Sequence, residues 1–303
     1  RSVSVKKLSV IHFFLFIGLL ISASIGLTAC SEVTNKTEAF QINLSSSPAD
    51  TIQILSPDTL IFPPVHLTAH DSVLIFRPNP YISDKSYPLL FLLHGWSGNY
   101  RHWSEMVDLK FWADSLQFII VTPDGLTDSW YINSPVISQM QYHTFFFQQL
   151  YPTLIQRFPG IDASHIFISG LSMGGFGALH LMLSHPQFFR AAGSTAGGID
   201  LYPHKKKWGM AKYIGKKAAT YHTLSPINNL QIAVDHKIPV LIDCGFDDVF
   251  IDDHRKLVKK VKKENWGEYI KVKLMPGRHH ADYWKESILL HFAFYDSIYN
   301  ASR

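Results

Sequence analysis

Residues 168–186, "ISGLSMGGFGALHLMLSHP", set a single serine between glycines in otherwise apolar sequence. Residues 165–169 read as a short apolar strand. Residues 178–183 are rich in helix formers and run out near Pro186, which cannot continue a helix. Ser172 therefore sits at a strand-to-helix turn. Gly170, Ser172 and Gly174 fit G-x-S-x-G, where a sharp turn lifts the hydroxyl out of the sheet and small neighbours keep the backbone free of clashes. A glycine-rich turn with an incidental serine looks the same, so partners elsewhere in the chain must decide.

Those partners depend on how the rest of the chain is organised. With 303 residues and 47% hydrophobic content, one large α/β domain is expected. From residue 51 the pattern is strands first, then alternation. "TIQIL", "LIFPPVHLTA" and "SVLIFRP" read as early strands, the second interrupted at "FPP". "YPLLFLLHG" is a continuous apolar run, as in a strand buried on both faces. A helix over 103–115 follows, then strand "QFIIVTP", helix "TFFFQQLYPTLIQRF", strand "HIFISG" and the elbow helix. After "RAAGSTAGG" and a polar excursion come strand "PVLIDCG", a Lys-rich amphipathic helix, strand "YIKVKLMPG" and a closing helix over 283–299. Such alternation predicts a mostly parallel sheet with helices on both faces.

In open α/β sheets reactive groups collect at the carboxyl ends of strands. Three such ends carry chemistry: Ser172 after "HIFIS", Asp247 and Asp248 after "PVLIDCGF", His279 and His280 after "YIKVKLMPGR". Serine, aspartate, histidine is the α/β-hydrolase order. A serine hydroxyl is a weak nucleophile until an imidazole takes its proton, and the imidazole needs a carboxylate to hold its tautomer. Two backbone N–H donors must also meet the oxyanion. Met173, directly after the serine, and Trp96, in the loop after "FLLHG", are the candidates. His94 is expected to brace that loop. No His/Cys spacing of metal-ligand type is visible, and no cofactor is implied.

Together "LLFLLHGWSGNYRHW", "GLSMGGFGALHLMLSHPQFF", "CGFDDVF" and "MPGRHHADYW" resemble successive blocks of the esterase D superfamily, over most of residues 60–300. That superfamily includes feruloyl and acetylxylan esterases, tributyrin-type esterases, S-formylglutathione hydrolases and mycolyltransferases. The resemblance implies an α/β-hydrolase fold and a serine esterase. Its Gly-x-x-Asp block falls on Gly245 and Asp248, and its P-G-G-H block on Pro276, Gly277 and His279, with Trp284 five residues on. This chain departs by Arg278 at the second glycine, by the added His280 and by the doubled aspartate. The resemblance favours Asp248 and His279, and leaves Asp247 and His280 as the one-residue alternatives. "SWYIN" resembles a segment near the acyl site, making Trp130 and Tyr131 candidates for a substrate wall or, equally, ordinary core aromatics.

The amino end carries a different message. Lys6 and Lys7 precede an uncharged apolar run from Leu8 to Ala29, which reads as an export signal or a retained anchor. The chain opens on Arg1, so its true start is expected upstream. Leu27-Thr28-Ala29-Cys30 resembles a bacterial lipobox, which favours a cleaved signal over residues 1–29 and a diacylated Cys30. Residues 30–50 then form a flexible tether and residues 51–303 the catalytic domain. Without the signal, 25 basic residues face 24 acidic ones, so overall charge implies no nucleic-acid partner. Cys244 is left alone, expected to be a small buried apolar residue.

The expectation is an exported, membrane-tethered bacterial serine esterase, periplasmic or at the cell surface, acting on short acyl or aryl esters on carbohydrate. The alternatives are a mycolyl-type acyltransferase and a non-catalytic binding lipoprotein on the same scaffold.

Overall fold

The computed structural model describes residues 53–56 and 59–303. The expected signal, Cys30 and the tether lie outside the described residues. Among the described residues nine strands form one sheet: β1 (Gln53–Ser56), β2 (Thr59–Phe62), β3 (Asp71–Phe76), β4 (Tyr87–Leu93), β5 (Ile119–Pro123), β6 (Ile161–Gly170), β7 (Ala191–Thr195), β8 (Val240–Asp247) and β9 (Ile270–Arg278). Their spatial order is β1-β2-β3-β5-β4-β6-β7-β8-β9. The first three strands are antiparallel hairpin neighbours, and β3 also runs antiparallel to β5. From β5 to β9 every pairing is parallel.

Both faces of this parallel portion are covered, which explains its unbroken apolar runs. In β4, Leu89, Phe91 and Leu93 enter one core while Leu90 and Leu92 enter the other. The elbow helix Met173–Ser184 packs in the first core; the helices Leu109–Leu116 and Ala281–Ala301 supply Leu109, Ile288 and Phe292 to the second. Burying each such side chain contributes about 1.5–3 kcal/mol.

Local polar chemistry changes the expected elements in several places. The helix predicted over 103–115 is two, His102–Met106 and Leu109–Leu116. Asp108 divides them, its Oδ1 accepting the Phe111 N–H at 2.9 Å as an N-cap, because a short side-chain acceptor satisfies a free helical N–H. Residues Phe146–Leu150 widen into a π-helical turn between Tyr142–Phe145 and Tyr151–Arg157. The "RAAGSTAGG" stretch, given no element from its sequence, contains β7. Its small residues are required because a Cβ on Gly193 would lie 2.2 Å from His291 Nδ1. The polar excursion before β8 holds short helices, Met210–Ile214, Ala218–Leu224 and Gln231–Asp235.

Strand order reverses around β4: β5 lies on one side of it and β6 on the other. The carboxyl ends of β4 and β6 therefore sit side by side, with Leu93 paired to Gly170. A crevice opens at such a reversal, where ligands bind in sheets of this kind.

Candidate active site

The elbow is the first product of that reversal. Ser172 adopts φ 54°, ψ −116°, a region side-chain-bearing residues enter only under tertiary constraint. The constraint is visible in its backbone bonds. Leu171 N–H donates to Leu93 O at 3.2 Å, Ser172 N–H to Thr195 O at 2.9 Å and Gly174 N–H to Leu171 O at 2.7 Å. The flanking glycines are needed for space: a Cβ on Gly170 would lie 2.3 Å from Gly174 O, and one on Gly174 2.3 Å from Leu93 O. The turn thus holds Ser172 at the amino end of the elbow helix, whose free N–H groups favour developing negative charge.

The continuation of β8 places the carboxylate. Asp248 has no exposed side-chain surface; its Oδ1 accepts the Phe250 N–H at 2.9 Å and its Oδ2 the His279 Nδ1–H at 2.8 Å. His279 in turn offers Nε2 to the Ser172 hydroxyl at 2.9 Å. Its ring stands edge-on between Phe250 and Trp284, at 5.5 and 5.2 Å between centroids, which restricts rotation out of this line. The neighbours in each pair do other things. Asp247 is exposed beyond the β8 irregularity, opposite Arg278. His280 is half exposed and caps the closing helix, its Nδ1 accepting the Asp282 N–H at 3.4 Å. The register is set where β8 and β9 touch: a Cβ on Gly245 would meet Gly277 O at 2.3 Å, and Gly277 adopts φ 139° against the Tyr283 ring.

The loop after β4 closes the site from the other side. A Cβ on Gly95 would lie 3.3 Å from Ser172 Cβ, so Trp96 follows at the serine's side. Among the described residues neither the Trp96 nor the Met173 N–H donates to a backbone carbonyl outside regular elements. His94 is buried and holds the loop: Gly125 N–H donates to its Nε2 at 2.7 Å, so Nδ1 carries the hydrogen and reaches Gly95 O at 2.8 Å.

Trp130 and Tyr131, candidates for a substrate wall or for ordinary core aromatics, are 1% and 0% exposed and pack in the first core. Tyr131 donates its hydroxyl to His94 O at 2.9 Å, and Trp130 Nε1 donates to Trp208 O at 2.9 Å. Cys244 is buried, and that burial pushes its thiol far above the ordinary range. Among the described residues no group of three or more His, Cys, Asp or Glu side chains is arranged to hold a metal ion.

The sequence reading missed a buried network under the site. Asp243 Oδ1 accepts from Tyr283 and Ser287 hydroxyls at 2.7 and 2.8 Å, and Oδ2 from His291 Nε2 at 2.7 Å. His291 Nδ1 meets Ser169 Oγ at 2.9 Å. An aspartate inside "VLIDCG" and a histidine inside the apolar closing helix were the available signals, since buried charge needs a partner.

With this geometry in place, a model of the Esterase family matches residues 67–295. The chain belongs to the Esterase family. It is a carboxylic ester hydrolase of α/β-hydrolase fold. The S-formylglutathione hydrolase of Saccharomyces cerevisiae is 26% identical over 254 residues, covering 70% of this chain and 84% of that protein. An endo-1,4-beta-xylanase/feruloyl esterase of Xylanibacter ruminicola is 28% identical over 137 residues, 42% of this chain but only 19% of that longer protein. Among solved structures a ferulic acid esterase superposes with a TM-score of 0.66 at 23% identity, over 79% of this chain and 96% of its own, a likeness of fold.

Proposed function

We propose that this esterase works by a Ser172-His279-Asp248 triad on short acyl or aryl esters, of the acetyl or feruloyl kind, carried by carbohydrate. The observation that carries the reading is His279, hydrogen-bonded to Asp248 through one ring nitrogen and to Ser172 through the other. Ser172 Oγ attacks the acyl carbon while His279 Nε2 takes the hydroxyl proton. Asp248 keeps Nδ1 protonated and stabilises the imidazolium. The N–H groups of Trp96 and Met173 receive the oxyanion, each worth about 2.7–4 kcal/mol in comparable sites. The tetrahedral intermediate expels the alcohol, which takes the proton from His279, and leaves an acyl-enzyme on Ser172. Water, deprotonated by His279, then releases the acid. The His279 side chain is 21% exposed, so solvent can reach the base.

The carbohydrate part of the reading draws on the feruloyl esterase relatives and on the expected export. In the same reading Cys30 is lipidated and the catalytic domain is tethered to a bacterial membrane by residues 30–50. Wild-type protein should label with a fluorophosphonate probe and hydrolyse 4-nitrophenyl acetate, while Ser172→Ala should do neither. Labelling that persists in Ser172→Ala, or more than about a tenth of wild-type kcat, overturns the triad.

A further inference from the structure

Ser172 does not hold its turn alone. Its N–H donates to Thr195 O at 2.9 Å, and Leu171, the residue after β6, pairs with Thr195, the last residue of β7, as an isolated parallel bridge. The serine turn, with its positive φ of 54°, therefore rests on the Thr195 backbone. The Thr195 side chain has no exposed surface and enters the polar network around Asp243.

The donors in that network fix where its hydrogens go. Asp243 Oδ1 takes the Tyr283 and Ser287 hydroxyl hydrogens at 2.7 and 2.8 Å, and Oδ2 takes His291 Nε2–H at 2.7 Å, because a carboxylate only accepts. With the Ser287 hydrogen given to Asp243, Thr195 donates its own to Ser287 Oγ at 2.7 Å. Asp243 Oδ2 lies 3.3 Å from the same hydroxyl. The next residue is also held, since Ala196 N–H donates to Asp243 O at 2.7 Å. Thr195 is thus clamped to the closing helix through its hydroxyl and to β8 through the following amide, and its carbonyl keeps one direction, toward Ser172.

The same carboxylate reaches the other two members of the site. Asp243 lies in β8, the strand that leads to Asp248. The Tyr283 ring stands where a Cβ on Gly277, two residues before His279, would lie 2.4 Å away. One buried carboxylate therefore sets the spacing among the segments that carry serine, aspartate and histidine. The 2.9 Å contact between Ser172 and His279 tolerates little drift. Misplacing a reacting group by about 1 Å can cost about a hundredfold in rate.

We propose that Thr195 is a positioning residue for Ser172: its hydroxyl, anchored on Ser287 and Asp243, aims the carbonyl that keeps the serine turn in line with His279. The inference rests on the triad reading above. Thr195 is fully buried and touches no substrate, so its effect falls on kcat and not on KM.

The test compares Thr195→Val, which keeps the branched shape and loses the hydroxyl, with Thr195→Ser, which keeps the hydroxyl. On 4-nitrophenyl acetate, well below the melting temperature of each variant, Thr195→Val should lower kcat by about tenfold with KM within about twofold of wild type. The rate of fluorophosphonate labelling of Ser172 should fall by a similar factor, and Thr195→Ser should recover most of both losses. A lower Tm in Thr195→Val with unchanged kcat and labelling rate would show a purely structural role and overturn the proposal. Thr195→Ser as slow as Thr195→Val would overturn it too, since the hydroxyl would not be what matters. Should Thr195→Val yield no folded protein, Ser287→Ala, which removes the acceptor from the closing helix, decides in its place: a kcat about threefold lower at unchanged KM supports the proposal, and an unchanged kcat overturns it. Wild-type protein that neither labels nor hydrolyses 4-nitrophenyl acetate, or a Ser172→Ala variant that still does, overturns the triad reading itself, and the role of Thr195 with it.

Discussion

Asp243 and His291, neither with any exposed side-chain surface, meet at 2.7 Å beneath the serine site. The contact ties β8, which leads to Asp248, to the closing helix, which begins two residues after His279. Ser287 and Tyr283 add two further bonds from that helix to the same carboxylate. Removing one member of a buried pair leaves the other desolvated and unpaired, at a cost of about 3–5 kcal/mol. Asp243→Ala should therefore lower the unfolding free energy in urea by that amount. A loss below about 1 kcal/mol would show the network to be dispensable.

The paired residues at the site should differ sharply in kinetics. His279→Ala and Asp248→Ala should each reduce kcat by about three orders of magnitude or more. His280→Ala and Asp247→Ala should stay within a few-fold of wild type, the former with a cap loss of about 0.5–2 kcal/mol in stability. The reverse ranking in folded variants would move the reactive groups by one residue.

The elbow glycines give a steric prediction. A Cβ at Gly174 would press on two backbone carbonyls, Leu93 O at 2.3 Å and His94 O at 2.5 Å, neither of which can swing away. Gly174→Ala should cost about 3 kcal/mol or more and abolish turnover. Gly267→Ala meets nothing within 4 Å and should be tolerated. Thermal melts of the two variants compare them directly.

Acid should destabilise the fold through histidines on the elbow face. Burial holds His143 down to about 4 and His180 down to about 3, below the ordinary value of 6.5. The neighbouring imidazoles add to both shifts: His185 acts on His143, and His143 and then His185 act on His180. The unfolded chain thus binds these protons first. The stability they contribute is complete above about pH 6.5 and is lost as pH falls toward 4 and 3. His180 stacks on Phe176 at 5.5 Å, so His180→Phe keeps a ring in place while removing one titration. The drop in Tm between pH 7 and pH 4.5 should shrink in His180→Phe. An unchanged drop would place the acid sensitivity elsewhere.

Sequence alone determined the sheet with its two covers and the strand ends where chemistry collects. Continuous apolar runs such as β4 and the G-x-S-x-G turn are local patterns, set by burial and by backbone sterics within a few residues. The order of serine, aspartate and histidine was likewise legible. Which member of each doubled pair points inward was not a local property. It follows from the close approach of Gly245 to Gly277 and from His280 turning to cap a helix. Trp130 and Tyr131 show the same limit: their composition suits a wall or a core equally, and only packing against His94 and Trp208 turned them inward. β7 escaped notice because Ala, Gly and Ser carry little strand propensity; it is held by its parallel pairing with β6 and β8, and His291 and Tyr295 leave no room for a side chain at Gly193. The Asp243–His291 contact joins residues 48 positions apart, a pairing that only the folded sheet and its closing helix could decide.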